Sequence, residues 1–445
     1  MSSFAEMMKN LSSVTQSENG GKVYSTVGNP MLDMFSRIGA VRHQPDGEIV
    51  SLYMAARQYN EKLADNCILY ARDIRNGGLG ERRIGRILLQ SLSYTNPQKV
   101  ITNLTKIVDT GRWDDLYCLI DNKEVAPYIW LFIKEQFEKD ISNMKQNKSI
   151  SLMAKWLKSP NTSSAESRRL AQLTYKNLGI TEKTYRKTLA ALRKYSNVVE
   201  RTMSDREWEK IVFEHVPSKA MSQYQNSFAT HQNERFEAYK QALIAGKTTI
   251  NAGTLYPYDI VQKAFKNASP SYGHINKLSD IDEQQWKALP NYVNDNYDVL
   301  VLADVSGSME VNNYQPMATS VGLATYFAQR NQSAYHGLYM TFTDVPKIIR
   351  INDNWSLDDT LKYVLKTGVG YNTNLDLAFK AIYDMAKEVH EVPKALVVIS
   401  DMQIDRWYHG DYCDSIVSKW AKKYKEIGLE APKLILWNVD RLGVK

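Results

Sequence analysis

The chain has 445 residues, 43% hydrophobic and 24% charged, with a formal net charge of +7. That length suffices for two or three domains and a large core. The sequence has no apolar run approaching the roughly 20 residues of a membrane helix. The opening MSSFAEMMKNLSS lacks the basic start and apolar block of a secretory leader.

Three widely spaced cysteines, Cys67, Cys118 and Cys413, argue against a disulfide framework or zinc knuckle. A reducing, cytoplasmic setting is expected. Charge is unevenly spread. Residues 1–290 carry 40 Lys and Arg against 30 Asp and Glu, and residues 291–445 carry 16 against 19. The sharpest excess is residues 141–200, with 12 basic and 3 acidic side chains. Such a division places an anionic partner on the first part of the chain.

In chain order, residues 1–30 are rich in Ser, Gly and Asn and read as a flexible arm. From Glu48 the spacing of Leu52, Ala55, Ala56, Tyr59, Leu63, Ala64, Cys67, Ile68 and Ala71 predicts a helix. It should stop near Arg75-Asn-Gly-Gly. Gly77-Gly78-x-Gly80 lacks the Lys-Ser/Thr of a phosphate loop and reads as a helix–helix turn. Another helix follows, with Ile84, Ile87, Leu88 and Leu92 on one face. Further helices are predicted at about 97–109, 114–121, 127–143, 149–158, 167–178, 181–202, 204–211, 217–227, 231–245 and 256–268. No strand alternation precedes Asp298, so residues 31–289 read as a helical solenoid or bundle without a strict repeat.

A polar linker is expected over about 279–297, and strands alternate with helices beyond it. Predicted strands are 298–303, 337–343, 346–351, 395–400 and 433–439. Predicted helices are 315–332, 374–389 and 414–427. This is an α/β doubly wound pattern. The first strand runs directly into Asp304-x-Ser306-x-Ser308. A turn after a strand of an open parallel sheet is a ligand-binding position. One carboxylate and two hydroxyls at alternate positions are hard oxygen donors, suited to Mg2+, Mn2+ or Ca2+ rather than Zn2+. The sequence offers no Ser-His-Asp, Cys-His or paired-carboxylate arrangement, and enzyme activity is not expected.

Asp304-x-Ser306-x-Ser308 resembles the metal-ion-dependent adhesion site of von Willebrand factor A domains. That resemblance implies a Thr from a second loop and an Asp from a third. Gly370-Tyr-Asn-Thr373-Asn and Leu396-Val-Val-Ile-Ser-Asp401 supply Thr373 and Asp401 in that order. A domains usually have six strands, whereas five are found here, so residues 290–445 are expected to lack the last strand and helix of the fold.

In the helical part, several phrases resemble the Ro-type family. They include Arg72-Asp-Ile-Arg-Asn-Gly-Gly-Leu-Gly-Glu-Arg, Gly111-Arg-Trp-Asp-Asp-Leu and Ser151-Leu-Met-Ala-Lys-Trp-Leu. Tyr185-Arg-Lys-Thr-Leu-Ala-Ala-Leu-Arg and Ile250-Asn-Ala-Gly-Thr-Leu-Tyr-Pro-Tyr-Asp-Ile-Val follow, then Ser400-Asp-Met-Gln-Ile-Asp405. Ro-type proteins join a TROVE module of HEAT-like helices to an A domain. The similarity is strongest to an uncharacterised branch found in plants, fungi, bacteria and phages. It implies binding of structured or single-stranded RNA.

The residues themselves offer Arg168, Arg169, Lys183, Arg186, Lys187, Arg193 and Lys194 as phosphate contacts, with Tyr175, Tyr185 and Tyr195 interleaved for stacking. Three function classes stay open: a Ro-like RNA-binding protein with a divalent-cation site, a cation-dependent protein–protein adaptor, and a structural or assembly protein of possible viral origin.

Overall fold

Helical periodicity in the first half of the chain resolves into shorter pieces than the spacing alone predicts. The computed structural model describes residues 14–16, 22–24, 26, 28–75, 77–196, 198–293, 298–343, 345–368, 373–401 and 413–439. Contacts divide the chain into two units, Thr26–Ile211 and Val212–Lys445, the latter with Met1–Ser25.

The Thr26–Ile211 unit contains α1 (Pro30–Arg37), α2 (Asp46–Tyr59), α3 (Glu61–Arg72), α4 (Arg82–Thr95), α5 (Pro97–Thr102) and α6 (Leu104–Thr110). It continues with α7 (Ala126–Lys145), α8 (Met153–Trp156), α9 (Ala165–Asn177), α10 (Glu182–Tyr195) and α11 (Val199–Ser204). The helix expected from Glu48 to about Arg75 breaks at Asn60. There the backbone is extended, and the Asn60 side chain accepts a hydrogen bond from the Leu63 N–H at 3.0 Å, which starts α3. Ile68, Leu88, Leu116, Ile133, Ala171 and Leu189 belong to one core.

An ion pair lies inside that core: Arg72 Nε donates to Asp115 Oδ2 at 2.7 Å, and the two side chains are 1% and 0% exposed. Two glycines make room for it. A Cβ on Gly111 would lie 2.5 Å from Asp115 Oδ2, and one on Gly85 would lie 2.8 Å from Arg72 Cβ. The phrases around Arg72 and Gly111 are therefore one packing motif, split in sequence and joined in space.

The second unit opens with β1 (Val14–Gln16) and β2 (Lys22–Tyr24), an antiparallel ladder. This corrects the expectation of no strand before Asp298. The rest of residues 1–25 lies outside the described residues. Four helices follow: α12 (Ser218–His231), α13 (Asn233–Ile244), α14 (Pro257–Phe265) and α15 (Asp280–Lys287). The last falls where a polar linker was expected. A capping box between Ser279 and Asp282 starts it, and Ile281, Gln285 and Trp286 are buried.

Then come β3 (Val299–Asp304), α16 (Val311–Arg330), β4 (Leu338–Phe342), β5 (Ile348–Arg350), α17 (Leu357–Gly368), α18 (Leu375–Val389), β6 (Ala395–Ser400), α19 (Cys413–Glu426) and β7 (Lys433–Asn438). Helix α17 has no counterpart among the predicted elements. Asp344, in the turn expected between the second and third strands, lies outside the described residues.

Among the described residues the sheet has five strands in the order β5-β4-β3-β6-β7. The β4–β5 pair is antiparallel, and the other pairs are parallel. Strand β3 is buried along its whole length. Val299, Val301 and Ala303 share a core with Met317, Val321 and Leu361, whereas Leu300 and Leu302 pack with Phe379, Ile382 and Trp420. Helices therefore cover both faces, which explains why β3 and β6 read as continuous apolar runs rather than alternations. Ile260, Phe265 and Trp286 share the first of these cores. Contacts thus join α14 and α15 to the sheet, although a boundary at 289/290 was expected between them. The chain as a whole is mainly helical, with a small mixed sheet toward its C-terminal end.

Candidate functional site

Strand β3 has β4 on one side and β6 on the other. Between β3 and β6 the strand order reverses direction, which opens a crevice at their C-terminal ends. The register Ala303↔Ile399 brings Asp304 beside Ser400. Asp304 is fully buried. Its Oδ1 accepts from the Ser306 N–H at 2.9 Å, and its Oδ2 accepts from the Ser400 hydroxyl at 2.5 Å. The hydroxyls of Ser306 and Ser308 are 3.1 Å apart.

Burial pushes the Asp304 carboxyl up to about 7. Hydrogen bonds from Ser400 and Ser306 pull the other way, and the Asp401 charge adds to the rise. Among the described residues, the groups that act on it are thus hydroxyls, the Ser306 backbone N–H and a second carboxylate.

Of the five residues expected to bind metal, Asp304, Ser306 and Ser308 are together and Asp401 is within electrostatic reach of Asp304. Asp401 is 6% exposed and Thr373 2%. Thr373 stands just before Asn374, whose side chain caps α18 by accepting from the Leu377 N–H. Gly370–Asn372 and Met402–Asp405 of the expected loops lie outside the described residues.

Ser400 belongs to the site but was not among the expected ligands. The strand register places it there, and the sequence does not reveal that register. Among the described residues no group of three or more His, Cys, Asp or Glu could hold a metal. The donor set fits a hard cation that takes hydroxyl and water oxygens with few charges, as Mg2+ does, and does not fit Zn2+.

The expected RNA contacts separate into two kinds. On α10, Tyr185, Leu189 and Leu192 are buried, and Lys183, Arg186, Lys187 and Lys194 are exposed on the outward face. Among the described residues Lys183, Arg186 and Lys187 form no ion pair. The charge of Lys194 reaches Glu207 and holds that carboxyl down, after the larger effect of the Lys210 hydrogen bond.

Arg193 is a correction. Its guanidinium turns inward and donates to Ala154 O at 2.8 Å, Ser159 Oγ at 2.7 Å and Leu157 O at 2.8 Å. Arg169 pairs with Glu166 through two bonds of 2.7 and 2.8 Å, and Arg168 donates to Thr162 O and Ser163 O at 2.6 and 2.8 Å. The stacking expected of the tyrosines is also corrected. Tyr185 is buried and donates to Lys158 O, Tyr195 donates to Lys148 O, and Tyr175 packs against the core.

Fold and site together describe a chain with a helical unit and a sheet-bearing unit, the latter holding a cluster of buried oxygen donors at its switch point. Residues 129–297 match the family described as DUF2828, a domain of unknown function, and residues 298–443 match DUF7788, a second one. The uncharacterized protein L728 of Acanthamoeba polyphaga mimivirus is 26% identical over 478 aligned residues, spanning 96% of this chain and 79% of that protein. A crystal structure of the Deinococcus radiodurans RO (RSR) protein superposes with a TM-score of 0.39 at 14% identity, over 95% of this chain and 88% of that one. No described helix is long and apolar enough to cross a membrane.

Proposed function

We propose that the protein is a non-catalytic, Ro-like RNA-binding protein whose sheet unit holds a divalent cation. The outward face of α10 carries the RNA reading. Lys183, Arg186 and Lys187 lie within one helical turn, are exposed, and meet no carboxylate among the described residues. Unpaired cations on one face neutralise phosphates and release counterions, with a log–log salt slope of about −0.7 per contact on a single strand. They read charge and not bases. A gel-shift titration of Lys183→Glu/Arg186→Glu/Lys187→Glu at two salt concentrations tests this. The triple variant should weaken every single-stranded RNA by similar factors and flatten the salt dependence. Equal affinity in variant and wild type would end the reading.

The cation reading rests on the oxygen cluster. Ser306, Ser308 and Thr373 would ligate Mg2+ directly, with Asp304 and Asp401 direct or through water. A bound cation supplies an open position for an acidic group of a partner. The same cluster favours a second reading, a cation-dependent protein–protein adaptor. In that case Asp304→Ala abolishes partner capture and the charge swap on α10 does nothing.

A further inference from the structure

Asp114 and Asp115 lie side by side in the turn Trp113–Leu119 and are 2% and 0% exposed. Four cations pair with these two carboxylates, and the charge of a fifth, Arg112, reaches them. Arg82, Arg86 and Lys158 reach Asp114 Oδ2 at 2.8, 3.0 and 3.2 Å. Arg72 and Arg86 hold the two oxygens of Asp115, each at 2.7 Å. The Arg112 guanidinium lies 4.2 Å over the Trp156 ring, and Arg193 directs its donors to carbonyls of the adjoining loop. The Arg112 backbone N–H donates to Asp115 Oδ2 at 2.9 Å, whereas the guanidinium groups of Arg112 and Arg193 form no ion pair among the described residues. Burial, then the charges of Arg82 and Arg72, depress the Arg112 pKa, and the charges of Asp114 and Asp115 oppose them less strongly.

This surplus opens on a cleft of about 380 Å³, lined among others by Arg82, Lys155, Trp156, Lys158 and Ser159, where Lys155 also pairs with Glu200 at 3.6 Å. A concave site with low-dielectric walls focuses such a field and concentrates counter-ions. Asp114 lines the cleft too, and its Oδ1 is buried with no hydrogen-bond partner among the described residues. A ligand bringing a hydroxyl or N–H donor beside its negative charge satisfies that oxygen as well.

We infer that this cleft binds a phosphate group of a nucleotide unit, with Arg82, Lys155 and Lys158 as its contacts and Asp114 Oδ1 accepting from a neighbouring hydroxyl. That the unit belongs to an RNA chain rests on the reading above; the affinity for phosphate does not. The cleft is separate from Lys183, Arg186 and Lys187 on α10. It offers a defined pocket, where α10 offers a charged face.

Arg82 and Lys155 are the variants of choice because their side chains are 48% and 33% exposed. The experiment measures the melting midpoint of the full chain with and without inorganic pyrophosphate, and its affinity for a single-stranded RNA oligonucleotide. It compares wild type, Arg82→Gln/Lys155→Gln, and Lys155→Gln alone in case the double variant misfolds. Pyrophosphate should raise the wild-type midpoint and compete with RNA, and the double variant should lose about tenfold or more in both affinities. Pyrophosphate binding lost in the variants, with no RNA binding even by wild type, supports the cleft and sinks the RNA reading. RNA binding unchanged in the variants, together with no pyrophosphate effect on wild type, overturns the cleft and leaves the RNA reading standing.

Discussion

Replacing Asp304 by Asn separates the cost of the buried carboxylate from its use. The Asp304 carboxyl is fully buried and pushed from 3.8 up to about 7. With no cation bound, the folded protein therefore keeps a proton that the unfolded chain loses above its ordinary carboxylate range. Stability from this group is complete below about pH 4 and falls as pH rises, until it levels off above about 7. A shift of about three pH units corresponds to roughly 4 kcal/mol at most. The amide of the Asp304→Asn variant would keep an oxygen acceptor for the Ser306 N–H and turn an N–H donor toward the Ser400 hydroxyl, which can accept, and it cannot ionise.

Urea unfolding in EDTA from pH 4.5 to 8 measures the difference between the two proteins. It should grow in favour of the variant by roughly 3 kcal/mol across this window as pH rises, whatever constant offset the amide introduces. Mg2+ reverses the order. It should stabilise the wild type by mass action and leave the Asp304→Asn variant unmoved. Because proton and cation compete for one carboxylate, the wild-type Mg2+ affinity should weaken below about pH 7. A difference profile flat with pH, or equal Mg2+ stabilisation of both proteins, would refute the reasoning.

Other perturbations test the helical unit. Gly111→Ala sets a methyl against Asp115 Oδ2 and Ile107 O, and should cost about 1–3 kcal/mol by urea unfolding. Asp115→Ala leaves Arg72 buried and unpaired, and should cost about 3–5 kcal/mol in the same assay. Arg193→Gln removes three hydrogen bonds to the 154–159 loop and should lower stability by roughly 2 kcal/mol. If its effect were instead on RNA affinity with stability unchanged, the inward placement of Arg193 would be wrong.

The central strands and most helices were legible in the sequence because burial writes itself as period. Val299–Ala303 and Ala395–Ile399 are apolar throughout, since helices cover both faces of the sheet. Other elements carried signals that composition obscured. The Ser279–Asp282 capping box sits in an acidic, Asn-rich stretch that reads as linker. Leu357, Leu361, Val364 and Leu365 have clear helical spacing and are buried, and α17 was readable from them.

Some features had no local signal. Arg186 and Arg193 look alike in sequence, seven residues apart on one helix, yet the acceptors that turn Arg193 inward lie 34 to 39 residues away. Ser400 joins Asp304 across 96 residues through a strand register, so a motif written as consecutive residues cannot contain it.

Three of the phrases that gave the helical part its resemblance, those at 72–82, 111–116 and 151–157, meet at Asp114 and Asp115. Arg72, Arg82, Gly111, Arg112, Trp156 and Lys158 all come from or border them. Packing alone gives a poor account of that convergence. A buried ion pair is weak evidence for stability, because desolvation can exceed the Coulombic gain and apolar side chains of similar volume often do as well. A surplus of like charge is worse, since each uncompensated cation raises the free energy of the folded state. Gly85 and Gly111 add a further cost, each sacrificing backbone restraint to admit Arg72 and Asp115. A fold carrying these costs around an open cleft is under strain that an anion relieves. The pyrophosphate midpoint therefore asks whether the charged centre of the helical unit is a completed structural element or one half of a binding site.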